Sequence, residues 1–296
     1  MKRRQFRVAV PLAVALAAAG APGLAQASHT AGMSRLTDVR AAAHTGYDRI
    51  VFEFSGKLPS ATHVQWATKV VRDGSGETVP AFGGAFLQVG LTGVTGLTSA
   101  HTSTFGAANR TYALPNLAQV VHAGEFEGVV SFGVALMART SYRVSTLTSP
   151  SRVVIDVGNA YARTTVPVSF VDRNRVVSGA TPYTRAVSRT VPSGAPAGGA
   201  MNRLFAGPTA AEYATGLRFV ASGAGGWRDL AISAGVARVR LTGGCSSGGS
   251  TVIVADEIMP TLRAFATVDR VKILSPAGST SSPTGSSGSI PGCLEP

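Results

Sequence analysis

Arg49-Ile50-Val51-Phe52-Glu53-Phe54 alternates without a break: Ile50, Phe52 and Phe54 share one side, Arg49, Val51 and Glu53 the other. A period of two is what a strand with one side on a core requires. Arg152-Val153-Val154-Ile155-Asp156-Val157 repeats the layout. In both strands a basic and an acidic residue four apart share a side, and such exposed pairs, worth under about 1 kcal/mol, mark the wet face. The turn signals Asp73-Gly74-Ser75-Gly76, Gly83-Gly84 and Ser149-Pro150 fall between runs of this kind, and the stretch lacks a 3.6-residue apolar repeat. From Leu36 to about Ala160 the pattern therefore predicts an all-β sandwich.

Beyond Ala160 the character changes. Tyr161-Ala162-Arg163-Thr164-Thr165 suits a short linker, followed by strands at Val166–Val171 and Arg185–Val191. The Ser/Gly/Ala/Pro run from Pro192 to Gly199 is expected as a loop, and Ala200–Ala206 as a short helix with Gly207 at a left-handed C′ position before Pro208. Thr209-Ala210-Ala211-Glu212 has capping-box spacing for a second helix ending at Gly216. Val236–Leu241 predicts a half-buried strand with Arg238 and Arg240 on its wet face. Ile258, Leu262 and Phe265 outline an amphipathic helix that Pro260 should kink or restart. In Val268-Asp269-Arg270-Val271-Lys272-Ile273, Val271 and Ile273 should face in and Arg270 and Lys272 out. The expected architecture is two independently folding domains, the sandwich at 28–160 and a small α+β domain at 161–296.

The first 27 residues read as a signal peptide. Lys2, Arg3, Arg4 and Arg7 precede an apolar run from Val8 to Ala19, and Ala25-Gln26-Ala27 suits cleavage, with Ser28 as the mature start. Pro11, Gly20, Pro22 and Gly23 interrupt the run, against a transmembrane anchor. Arg3-Arg4-Gln5-Phe6 partly fits a twin-arginine signal, so Sec and twin-arginine export both stay open. Hydrophobic residues at 45% and charged ones at 14% exclude wholesale disorder. Removing the leader takes away four basic residues and no acid, lowering the net charge from +12 to +8. The surplus is uneven, +2 on 28–160 and +6 on 161–296. On an exported protein such a surplus points to anionic envelope material rather than nucleic acid.

Chemistry is sparse. Two cysteines exclude a four-Cys zinc site or an iron–sulfur cluster. In an oxidising compartment Cys245 and Cys293 make one disulfide, closing a 48-residue loop that stabilises by about 4 kcal/mol on the chain-entropy model and tethers the Ser/Gly-rich tail. His29, His44, His63, His101 and His122 show no metal-ligand spacing, so no metal or cofactor is expected. Gly243-Gly244-Cys245-Ser246-Ser247-Gly248-Gly249 lacks the Lys of a phosphate-binding loop, and no Gly-x-Ser-x-Gly elbow occurs. The closest carboxylate pairs are Asp256-Glu257, within the helix, and Glu125 with Glu127, which alternation puts on one strand face at about 7 Å, near hydrolase spacing. A solvated β-face explains the latter far more often, and no catalytic residue is assigned.

Two resemblances add to this. Leu36-Thr37-Asp38-Val39-Arg40, Tyr47-Asp48-Arg49-Ile50-Val51-Phe52-Glu53-Phe54-Ser55-Gly56, Gly124-Glu125-Phe126-Glu127-Gly128 and Pro150-Ser151-Arg152-Val153-Val154-Ile155-Asp156-Val157 resemble an AMIN-like domain over about Leu36–Val157. Val166-Pro167-Val168-Ser169-Phe170-Val171, Arg189-Thr190-Val191-Pro192, Leu204-Phe205-Ala206-Gly207-Pro208 and Thr261-Leu262-Arg263-Ala264-Phe265-Ala266-Thr267-Val268-Asp269-Arg270-Val271-Lys272-Ile273 resemble a GerMN domain of actinobacterial envelope type over about Val166–Leu274. The first resemblance implies a β-sandwich that binds peptidoglycan, the second an α+β module that associates with copies of itself or with envelope complexes. Together they imply an exported, non-enzymatic protein, extracellular or in the cell wall, with wall polymer as its partner. The alternative is an assembly subunit that self-associates or docks on an envelope protein through the GerMN-like half. Turnover would demand an acid, a histidine and a hydroxyl meeting in one deep crevice.

Overall fold

The computed structural model describes residues 32–296, so the expected leader at 1–27 and the mature start at Ser28 lie outside the described residues. The first half contains β1 (Ser34–His44), β2 (Tyr47–Ser55), β3 (Ala61–Ala67), β4 (Ala85–Thr92), β5 (Val94–Thr95), β6 (Asn109–Thr111), β7 (Leu117–Phe126), β8 (Val129–Leu136), β9 (Tyr142–Thr148) and β10 (Ser151–Gly158). They pair in the orders β5-β1-β2-β10-β9 and β3-β4-β8-β7-β6, and residues from both sheets, including Ile50, Phe52, Leu87, Val89, Phe132 and Ile155, share one core. The alternation of β2 is realised, with Ile50, Phe52 and Phe54 buried. On its other face the charges pair across strands rather than along them. Arg49 donates two 2.7 Å bonds to the Asp156 carboxylate opposite it, and Arg40 on β1 donates at 2.7 Å to Glu53.

The second half continues with β11 (Arg163–Asp172), α1 (Arg173–Ser178), β12 (Thr184–Pro192), α2 (Pro196–Ala206), α3 (Ala210–Ala214), β13 (Leu217–Arg218), β14 (Ala224–Ser233), β15 (Val236–Gly243), α4 (Val254–Arg263) and β16 (Arg270–Leu274). Its sheets run β12-β11-β13 and β14-β15-β16, with β15 and β16 parallel. Val168, Phe170, Leu204, Val239, Ile258 and Val271 share a core between them.

Several local expectations change. The helix expected from Ala200 starts at Pro196, because a proline at the first helical position needs no amide hydrogen and brings the required φ. Gly207 has φ 84° but ψ −179°, so it turns the chain without the left-handed cap. The Thr209–Glu212 capping box forms, yet that helix ends at Ala214, two residues short of Gly216. Pro260 neither ends nor restarts α4, which runs through it and stops at Arg263 before Phe265. A proline there forgoes the bond to the Asp256 carbonyl and crowds that oxygen, yet the helix continues to Arg263.

The expected linker is a packed seam. Arg163–Thr165 already belong to β11, and the Tyr161 hydroxyl donates to the Pro115 carbonyl of the sandwich. Ala118 and Met137 of the first half lie in the core of the second. At the centre sits Arg203 of α2, 1% exposed. Its guanidinium donates to the carbonyls of Tyr112 (2.8 Å), Leu114 (2.6 Å) and Leu117 (3.0 Å) across the seam and of Thr190 (3.1 Å) within its own half. Burial pulls its pKa down to about 10, so it stays charged at neutral pH. Asp48, also buried, holds the same segment from the sandwich side, accepting from the Asn116 and Leu117 amides and from Asn159 Nδ2.

Lys272 does not face water. It is 1% exposed, and its ammonium donates to the carbonyls of Ser282 and Thr284 in the tail. The tail runs as a strap over the outer side of β15 and β16 and then pairs with the free edge of β16 at Ser289. Arg240 clasps the Pro276 carbonyl with two donors at 3.0 and 2.6 Å, and Ser289 exchanges backbone bonds with Val271 and Ile273. The expected disulfide joins Cys245 to Cys293 with 5.7 Å between Cα atoms, and Leu294 is buried in the core.

Candidate functional site

Gly93 turns the chain out of β4, its amide donating to the Gly128 carbonyl, and β5 then runs parallel to the start of β1. Residues 96–104 fold back as a tight loop. Thr98 and Thr102 exchange bonds, and His101 takes φ 57° at the turn. Glu125, near the end of β7, accepts from the Gly96 amide at 2.8 Å and so fixes the loop. A Cβ on Gly96 would stand 2.7 Å from the Phe105 ring, so only glycine allows that approach.

These elements enclose an open groove of about 780 Å³ at one end of the sandwich. Arg35, Glu125 and His101 line it with the hydroxyls of Ser55, Thr98 and Ser99. An acid, a histidine and hydroxyls thus do share one concavity. Among the described residues no hydrogen bond joins His101 to Glu125 or to any of these hydroxyls, and Glu125 accepts from the loop backbone. What the arrangement offers is a cation, a carboxylate and several hydroxyls spread over a wide mouth, which suits a ligand rich in hydroxyl, amide and carboxylate groups.

The sequence pairs come apart. Glu125 lies on β7, but Glu127 is in the following turn at φ 48°, so the two do not share a strand face. Glu257 is fully buried, accepting from the Val171 and Val220 amides, and burial raises its pKa well above the carboxylate range. Its neighbour Asp256 caps the start of α4 by accepting from the Ile253 amide. His122 packs between Phe105 and Phe132 in the sandwich core, where burial lowers its pKa. Among the described residues no three His, Cys, Asp or Glu side chains gather as a metal site. Arg35 and the 95–104 loop were not singled out by sequence reasoning. The available signal was hydroxyl density, Thr95, Thr98, Ser99, Thr102, Ser103 and Thr104 within ten residues.

Residues 34–159 match the AMIN-like domain family. The match covers both sheets of the sandwich and the groove residues from Arg35 to Glu125, and ends just before Tyr161. AMIN-like domains are associated with the cell envelope, which agrees with an envelope protein. No match was found among curated proteins. No helix among the described residues is long and apolar enough to cross a membrane.

Proposed function

We propose that this is an exported, non-enzymatic envelope protein that binds wall polymer, peptidoglycan in particular, through the end groove of its AMIN-like half. The observation that carries the reading is the groove itself. Arg35 offers a planar pair of donors to the carboxylates of wall peptides, while Glu125 and the hydroxyls suit sugar hydroxyls and amides. The test is a pull-down of the 28–296 chain on purified insoluble peptidoglycan at low and high salt. Arg35→Ala with Glu125→Gln should leave several-fold more protein in the supernatant. Wild-type protein unbound at both salts overturns the reading. A zymogram that clears with wild type and not with Glu125→Gln would make the groove an active site instead.

A second reading, docking on an envelope complex or on a second copy through the GerMN-like half, is favoured by Val177 and Tyr213, which are 78% and 54% exposed on that half. Light scattering over a concentration range tests self-association, and a strict monomer removes it.

A further inference from the structure

The outer face of the β14–β16 sheet is built from cations. On β15, Ala237, Val239 and Leu241 point into the core, so Arg238 and Arg240 point out. On β16, Val271 and Ile273 point in, so Arg270 and Lys272 point out. The register sets Arg228 of β14 opposite Arg240, and Arg238 opposite Lys272. Like charges directly opposite each other on neighbouring strands destabilise a sheet. Ion pairing offsets them little: among the described residues Arg238, Arg240, Arg270 and Lys272 have no ion pair, and Arg228 has a 3.6 Å contact with exposed Asp229. Asp269 lines one hollow with Arg270 and Asp256 another, both at the β16 end of the face.

The strap relieves part of the repulsion without neutralising it. Its backbone carbonyls take the donors of Lys272 and Arg240, and a carbonyl carries no net charge. Arg228 and Arg270 stay exposed and Arg238 half-buried beside the strap. Cα atoms on adjacent strands lie about 5 Å apart and same-face neighbours along a strand about 7 Å. That grid matches a chain with an anion at every repeat rather than a single small ion. Guanidinium groups take phosphate oxygens in pairs.

We infer that the cationic outer face of β14–β16, beside the strap, is a docking surface for a linear envelope polyanion carrying phosphate at each repeat. The inference takes its envelope location from the proposed function but does not use the sandwich groove. The probe is sodium polyphosphate, titrated into the 28–296 chain over a range of salt. Arg228→Gln, Arg238→Gln and Arg270→Gln together should weaken binding at least tenfold and flatten the log–log salt slope by about 2, at about 0.7 per lost contact. A control losing the same charge elsewhere, Arg143→Gln, Arg152→Gln and Arg173→Gln, should stay within about twofold of wild type, with unchanged melting in both triples. Equal weakening in the two triples, or none in the first, overturns the inference. So does tighter binding to phosphatidylglycerol vesicles than to polyphosphate at equal phosphate concentration, which would make the partner a lipid surface. Arg35→Ala with Glu125→Gln should leave polyphosphate binding intact, so loss of peptidoglycan binding and loss of this surface are separately visible.

Discussion

Arg203 and Glu257 are charged-type residues placed where water cannot reach, and each makes a different demand. Four carbonyls surround the Arg203 guanidinium and no carboxylate touches it. Arg203→Met should therefore leave buried acceptors unmet and cost about 3–5 kcal/mol, read as a lowered urea midpoint. Glu257 has its pKa raised by burial in the folded chain, so the folded state holds a proton that the unfolded chain releases in the ordinary carboxylate range. Its contribution is fully present below that range and is lost as pH rises toward the raised value. The stability difference between wild type and Glu257→Gln should accordingly shrink from pH 4 to pH 8, and urea midpoints at each pH measure it. A difference that widens with pH would show the carboxylate ionised and well held. Neither role was legible in the sequence. Arg203 stands between Asn202 and Leu204, and an arginine on a helix ordinarily means a wet face.

Alternation told truly which side of β15 and β16 meets the core, since Val239, Val271 and Ile273 are all buried. It could not tell what lies on the other side. Period two separates core from not-core; a Ser/Gly-rich tail carries no periodicity of its own, so nothing forecast that it would roof Lys272. The strap is ordered by a few anchors: the disulfide, the Ser289 backbone pair and the two cation clasps. Opening the disulfide should let the strap fray. In Cys245→Ser with Cys293→Ser, exchange of the Ile273 and Ser289 amides should speed up at least tenfold while the β2 and β10 amides hold their protection. Unchanged exchange at Ile273 would mean that the clasps alone suffice. The groove was partly legible at this scale. Glu125 was noticed for its closeness to Glu127, but its true partner is the Gly96 amide, 29 residues back in the chain. Long-range loop closures of that kind leave no mark in local spacing.

The two halves were expected to fold independently, and the sandwich and the later helices were placed close to where they stand. What local spacing could not show is the contact between them, because the residues around 161 give no sign that Ala118 and Met137 lie in the second core. Trp66 and Trp227 are the two tryptophans, one in each half, so Trp66→Phe and Trp227→Phe each leave one fluorescent reporter. Urea midpoints of the two variants should coincide, as one cooperative unit requires. Well-separated midpoints would restore two autonomous domains. The seam also bears on how such a chain can be inherited. Recombined onto any other downstream module, this sandwich would present three unmet carbonyls, at Tyr112, Leu114 and Leu117, and a bare apolar seat at Met137. Shuffling that parts the halves therefore carries a folding penalty, and the pair should be lost or kept together.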